Sequence, residues 1–332
     1  MRSYYPRTSK NQFPLRIATL LLIVSVAQLT VRSQVATVYT VLPSAGSYSA
    51  ISGGSILFGG ALEFGTIGDD ISGAQTIAPF NFGGTTYTQI FVSANGFITF
   101  GSAPAAANYT PISSAAGYAG AISAFGTNLQ NTNADFTLST QQRSVRIQTV
   151  GSEVVVQWRG MRRQGVNNEN FNFQIRLNTA NNVIKIVYGP IAGQGSAVTF
   201  QPEVGLRGPT NTFATDVKNI QIVSAETWAL PANGTAAANT MAFTSAPNPD
   251  KVWTSGLTYT FTPCAAPTVG VTPPASTVCQ GNGVALSAAG ATSYSWAPAT
   301  DLSATTGPAV TATPANTITY TVTGTNPACP FA

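Results

Sequence analysis

The 332-residue chain contains no histidine. That absence removes the commonest general base, the Ser-His-Asp and Cys-His nucleophile arrangements, and most zinc sites. Charge is also scarce: Asp, Glu, Lys and Arg make up 8% of the residues, against about 25% in typical soluble domains. Ser, Thr, Asn, Gln and Gly must therefore supply the wet surface. Three cysteines with no C-x-x-C pair point away from a thiolate metal site. An enzyme would have to work with carboxylates alone. A glycoside hydrolase needs two carboxyl groups facing each other across a cleft. Of the eleven acids only Asp69 and Asp70 lie close in sequence, and neighbours on an extended strand point to opposite faces. The expectation is a non-catalytic protein without a cofactor. A carboxylate-dependent glycoside hydrolase, or its accessory module, is the alternative.

The formal charge of +4 hints at an anionic partner until the charges are located. Arg2, Arg7, Lys10, Arg16 and Arg32 all precede residue 34, and the remaining ten basic groups face eleven acidic ones. The body is thus near neutral and has no footprint for nucleic acid. The early charges form a basic leader, MRSYYPRTSKNQFPLR, ahead of the apolar run IATLLLIVSVAQLTV (Ile17 to Val31) and then V-R-S, whose Val31 and Ser33 suit a cleavage site. Residues 1–33 therefore read as a secretory signal peptide cut before Gln34. An uncleaved anchor is the competing reading, but the run falls short of the roughly 20 residues a span needs. The prediction is a secreted or cell-surface protein with no membrane span once the signal is removed.

Gly 31 and Pro 21, with so few charges, suit many short strands joined by turns. Residues 34–263 are dense in such strands. RSVRIQTV (Arg143 to Val150), Gly151-Ser152 and EVVVQWRG (Glu153 to Gly160) read as a hairpin. FNFQIRLN (Phe171 to Asn178) alternates, with Phe171, Phe173, Ile175 and Leu177 inward and Asn172, Gln174, Arg176 and Asn178 outward, as in a half-buried antiparallel strand. The fold class predicted is all-β, an antiparallel β-sandwich followed by a small β module. TPCAAPTVGVTPPAS makes 264–278 a Pro-rich linker running into a first strand. VALSA, SYSWA and ITYTVTG then mark strands of a module over 279–332.

Three groups of residues are candidates for chemistry. Asn95-Gly96, between two apolar arms in FVSANGFITFGS, suits a type I′ turn with positive φ at both residues, a structural bend. Asp69-Asp70 offers carboxylates to calcium, or else forms an Asx-type turn beside glycine. Arg159, Arg162 and Arg163 next to Trp158 offer forked donors and a stacking face for a sugar or an anion; they are otherwise solvated charges at a hairpin end, with Trp158 in the core.

The segment IAPFNFGGTTYTQIFVSANGFITFGS (Ile77 to Ser102) resembles a pattern of secreted bacterial proteins and the opening of nidogen-type extracellular domains. Tyr118 to Gln130 and Val155 to Gly189 continue the similarity in order. Asn128 stands where such domains often carry an acid, so an acid-dependent role does not carry over to that position. The module at 279–332 resembles the Ig-like, PKD-type repeats of surface proteins and adhesins of Bacteroidetes-type bacteria, through Cys279, Gly281, SYSWAPAT around Trp296, TTGPAVTATP, TYTVTGT and Cys329. Ala297-Pro298-Ala299 replaces the acidic run of the strict PKD pattern, which places it in the wider Ig-like class. The chain stops at ACPFA without the sorting domain such proteins often carry, so it is expected to be a fragment or to end its export differently.

An oxidising compartment would let Cys279 and Cys329 form a disulfide around the module. Closing roughly 50 residues stabilises by about 4 kcal/mol in the chain-entropy model. Trp296 would pack against it as the central Trp does in Ig folds, leaving Cys264 unpaired unless it replaces Cys329 or bonds to a partner. The resemblances imply cell-surface adhesion or binding: a glycan or protein ligand, other cell-surface proteins included, held by loops or by a polar sheet face. A structural spacer within a larger adhesin is the second alternative.

Overall fold

The structure, a computed structural model, describes residues 17–21, 35–59, 67–131, 143–166, 169–192, 199–222, 226–234, 243–244, 252–264 and 267–325. The basic leader, the predicted cleavage site and Cys329 lie outside them. The chain divides into two compact units, Val31–Cys264 and a second made of Met1–Thr30 with Ala265–Ala332.

Alternating sequences become antiparallel strands throughout, and the described residues hold only two helices, each of four residues. The first unit is sandwich-like. Its eight-stranded sheet runs Tyr39–Ser44, Thr258–Pro263, Ile184–Tyr188, Phe171–Asn178, Glu153–Arg163, Ser144–Val150, Ser55–Gly59, and Leu129–Asn131 also pairs with Glu153–Arg163. Its seven-stranded sheet runs Ala232–Gly234, Val217–Gln221, Glu203–Arg207, Gly120–Gly126, Phe97–Phe100, Thr85–Ser93, Gln75–Phe82.

The predicted hairpin forms with Val150 opposite Glu153 and a left-handed Gly151 in the two-residue turn. From Phe171–Asn178, Phe171, Phe173, Ile175 and Leu177 all enter the core. There Trp158 stacks on Phe173 at 5.3 Å, and Phe125 meets Phe171 and Trp253 edge-on at 5.1 Å. Two bonds cross between the sheets: Trp158 Nε1–H donates to Ser93 O at 2.9 Å, and Tyr188 O–H to Ala124 O at 2.7 Å. An aromatic side chain of this size removes 150–250 Å² from water, about 4–6 kcal/mol of transfer free energy at 25 cal/mol per Å². This packing sets the separation of the sheets.

The outward half of the Phe171–Asn178 pattern departs from expectation. Asn172 and Gln174 are buried as well: residues 45–54, which form no regular element before Ser55, lie across Gln174, and the Asn172 amide accepts Gly160 N–H and donates to Asn170 Oδ1 and Pro190 O.

The Asn95-Gly96 bend also differs from the expected two-residue type I′ turn. Ser93 pairs with Phe97, so the loop is Ala94, Asn95 and Gly96. Gly96 has φ +87°, whereas Asn95 is not among the left-handed residues, and Gly96 N–H reaches Ser93 O at 3.4 Å. This is a three-residue connection with glycine alone in the left-handed position. A Cβ on Gly96 would lie 2.4 Å from Phe125 O, so glycine is required twice over.

In the second unit Gly270–Thr272, Val284–Ala289 and Ala309–Ala312 form one sheet, and Ser293–Ala297 pairs with Thr321–Thr325. Leu286, Tyr294, Trp296, Val310, Tyr320 and Val322 make its core. Ile17–Leu21, from the apolar run read as a signal, pairs antiparallel with Ala275–Cys279. Cys279 is a free thiol, so the expected Cys279–Cys329 disulfide is corrected. Cys279 ends its strand in a turn, its carbonyl accepting Asn282 N–H at 3.0 Å, and the apolar cluster around Trp296 forms the centre of the module.

Candidate functional site

The loops at the Asn95 end of the first unit converge on one side chain. Asn95 is fully buried. Its Oδ1 accepts Leu129 N–H at 3.0 Å, and its Nδ2 donates to Asp69 Oδ1 and to Ala106 O, each at 3.2 Å. Its carbonyl accepts Thr127 N–H at 3.3 Å. One asparagine thereby joins the turn at 94–96, the loop at 67–71, the long loop at 101–119 and the 127–131 segment.

Asp69 is the outer partner. Its Oδ2 accepts the Tyr109 O–H at 3.0 Å, and burial first, then the Asp69 bond and charge, push the Tyr109 phenol up from its ordinary value. Asp70 turns the other way, its Oδ2 accepting Gly68 N–H at 3.0 Å, the local Asx-type bond. Among the described residues no group of three Asp, Glu, His or Cys side chains is placed to hold a metal ion.

The predicted Arg-Trp patch is taken apart by the fold. Trp158 is buried and offers no stacking face. Arg163 forms a buried ion pair with Glu169, whose carboxylate also accepts Arg163 N–H at 3.1 Å. Arg162 donates to Asn131 O at 2.9 Å and to Val166 O at 2.8 Å. Both arginines thus brace the turn at 163–166, where Val166 N–H donates to Arg163 O at 3.2 Å. Gly160, with φ +69°, sits at the bulge between Arg159 and Met161 and shifts the strand register just ahead of them. Arg159 alone of the four is partly exposed.

Beside this turn Asn128 Nδ2 donates to Gln164 Oε1 at 2.6 Å, and Gln164 N–H to Asn128 O at 3.0 Å. Asp69, Tyr109, Asn128 and Gln164 are therefore the exposed or half-exposed polar rim over the buried Asn95.

The long loop is held from below. Glu203 accepts Ile112 N–H at 2.5 Å and Ser113 N–H at 3.2 Å. Arg207 donates to Ala116 O at 2.6 Å and lies 4.4 Å from the Tyr118 ring centroid. Burial outweighs these donors and raises the Glu203 carboxyl above its ordinary value.

On the polar face of the eight-stranded sheet, residues 45–54 cover the glutamines. Gln157 Oε1 accepts Ile51 N–H at 2.8 Å and Gln174 Nε2–H at 2.9 Å, while Gln157 Nε2 donates to Ile51 O at 3.2 Å. Gln174 also donates to Ser49 O at 2.8 Å, and Gly53 N–H donates to Gln148 Oε1 at 3.2 Å. The glutamines act as a side-chain strand edge for the crossing segment. Sequence reasoning missed this. The only signal was three glutamines on strands that pair.

A family model described as NIDO related matches residues 38–263. No curated protein and no solved structure matches the chain.

Proposed function

The chain belongs to the NIDO-related family, and from that premise we propose that it is an extracellular, non-catalytic recognition protein that binds a glycan or protein ligand through the loops gathered on Asn95. The observation that carries this reading is the contrast between the two polar surfaces. The glutamine amides of the sheet face are occupied by residues 45–54, whereas Asp69, Tyr109, Asn128 and Gln164 stand at the rim on a fixed base. A carboxylate, a phenol and a pair of amides together suit hydroxyl and amide groups of a neutral partner, in keeping with the near-neutral body. The described carboxylates of Glu153, Glu169, Glu203 and Asp216 are each committed to structural partners, which favours binding over hydrolysis. The second unit is read as an Ig-like repeat of a secreted surface protein.

The test uses the full-length chain over immobilised glycans and over intact cell surfaces, compared with a Tyr109→Phe, Gln164→Ala double variant. Retention that the double variant loses supports the reading. Retention unchanged by the variant, or none on any surface, overturns it.

A further inference from the structure

The chain holds three Asn-Gly pairs, Asn95-Gly96, Asn233-Gly234 and Asn282-Gly283. Asparagine is thermolabile, and most so before glycine, where no Cβ shields the backbone nitrogen that can attack the carboxamide. Two of the pairs sit in opposite surroundings. Around Asn95, attack would have to break the bonds to Leu129, Asp69 and Ala106 and shift a glycine packed against Phe125 O. Asn282 and Gly283 are both exposed, in the turn between Ala275–Cys279 and Val284–Ala289. Asn282 engages only its backbone N–H, with Cys279 O at 3.0 Å, and its carboxamide bonds to no described residue.

We propose that Asn282-Gly283 is a spontaneous modification site of this protein. The Gly283 nitrogen attacks Asn282 Cγ and gives up its proton, and the new C–N bond closes a five-membered succinimide. The carboxamide nitrogen takes up a proton and leaves as ammonia. Water then opens the ring at either carbonyl, giving aspartate or isoaspartate. No oxidant, metal or cofactor takes part. The local consequence is large, because Asp301 is the only charged side chain in residues 265–332. Conversion doubles that charge, and the isoaspartate product also lengthens the main chain by one carbon in the connection between strands of two different sheets.

The experiment holds the native full-length chain at mildly alkaline pH and follows each Asn-Gly peptide by mass spectrometry, with isoaspartate detected by enzymatic methylation. Asn282 is expected to convert while Asn95 lags at least about tenfold, equivalent to ~1.4 kcal/mol of local opening. In denaturant the lag disappears, and Gly283→Ala slows conversion at Asn282 without changing Asn95. Equal native rates at Asn95 and Asn282, or a rate at Asn282 indifferent to Gly283→Ala, overturns the proposal.

Discussion

Asn95 Oδ1 accepts the Leu129 N–H at 3.0 Å, joining the tip of one hairpin to a strand that starts 34 residues later. The same side chain donates to Asp69, so the bend that holds Asn95 also orders the rim above it.

Replacing Asn95 with Ala leaves the buried Leu129 N–H without an acceptor. The expected cost is about 2–3 kcal/mol in denaturant unfolding. Asn95→Asp keeps that acceptor but sets a buried carboxylate against Asp69, and it should cost at least as much. Unchanged midpoints for both would show that the loops are held by other contacts.

Gly96→Ala meets two penalties, a left-handed φ of +87° and a Cβ 2.4 Å from Phe125 O. Together they should cost about 2–4 kcal/mol. Gly151, at φ +59°, has nothing within 4 Å of a built Cβ, and Gly151→Asn should be nearly neutral. Thermal melts of the two variants compare shape with backbone strain directly.

Gln157→Leu removes the acceptor of Ile51 N–H and Gln174 and the donor to Ile51 O. Hydrogen exchange should rise at Ile51 and along 45–54, with about 2 kcal/mol lost from the fold. Exchange at Phe173 and Ile175, on the core side of the neighbouring strand, should stay slow.

Glu153 and Glu203 should give pH dependences of opposite sign. Burial alone would raise Glu153, but its bonds to Arg176 and Lys185 prevail and lower it. Its contribution is present above the ordinary glutamate value, about 4.3, and is lost as pH falls through the lowered folded value. Glu203 is raised by burial, so its contribution is full below about pH 4.3 and is lost as pH rises through the raised folded value. Melting temperatures across the acid range should lose part of the low-pH decline in Glu153→Gln. In Glu203→Gln they should lose the decline that sets in above the ordinary value.

A chain lacking residues 1–33 loses the strand Ile17–Leu21 that pairs with Ala275–Cys279. Backbone exchange at Ser276, Thr277 and Val278 should accelerate, while Phe171–Asn178 is unaffected. Equal protection in the two chains would show that another segment covers that edge.

Much of the fold was legible. The hairpin around Gly151-Ser152, the inward row from Phe171 to Leu177 and the strands flanking Trp296 all followed from apolar alternation and turn residues. The site was less legible. Asn95 read as a bend because a turn-forming dipeptide looks the same whether its side chain faces solvent or is bonded to three other segments. Arg162 and Arg163 read as surface charges because the bulge at Gly160 and the distant acceptors at Asn131 and Glu169 have no local signature.

The sequence by itself determined an all-β chain with an apolar interior, since period-two patterning places every second side chain on one face and burial of that face drives folding. Tertiary structure alone decided which polar groups are spent and which stay available. Ile51 finds Gln157 across 106 residues, and Asp69 finds Asn95 and Tyr109 from separate loops. A buried amide is stable only when all its partners arrive together, and that meeting depends on the path of the whole chain.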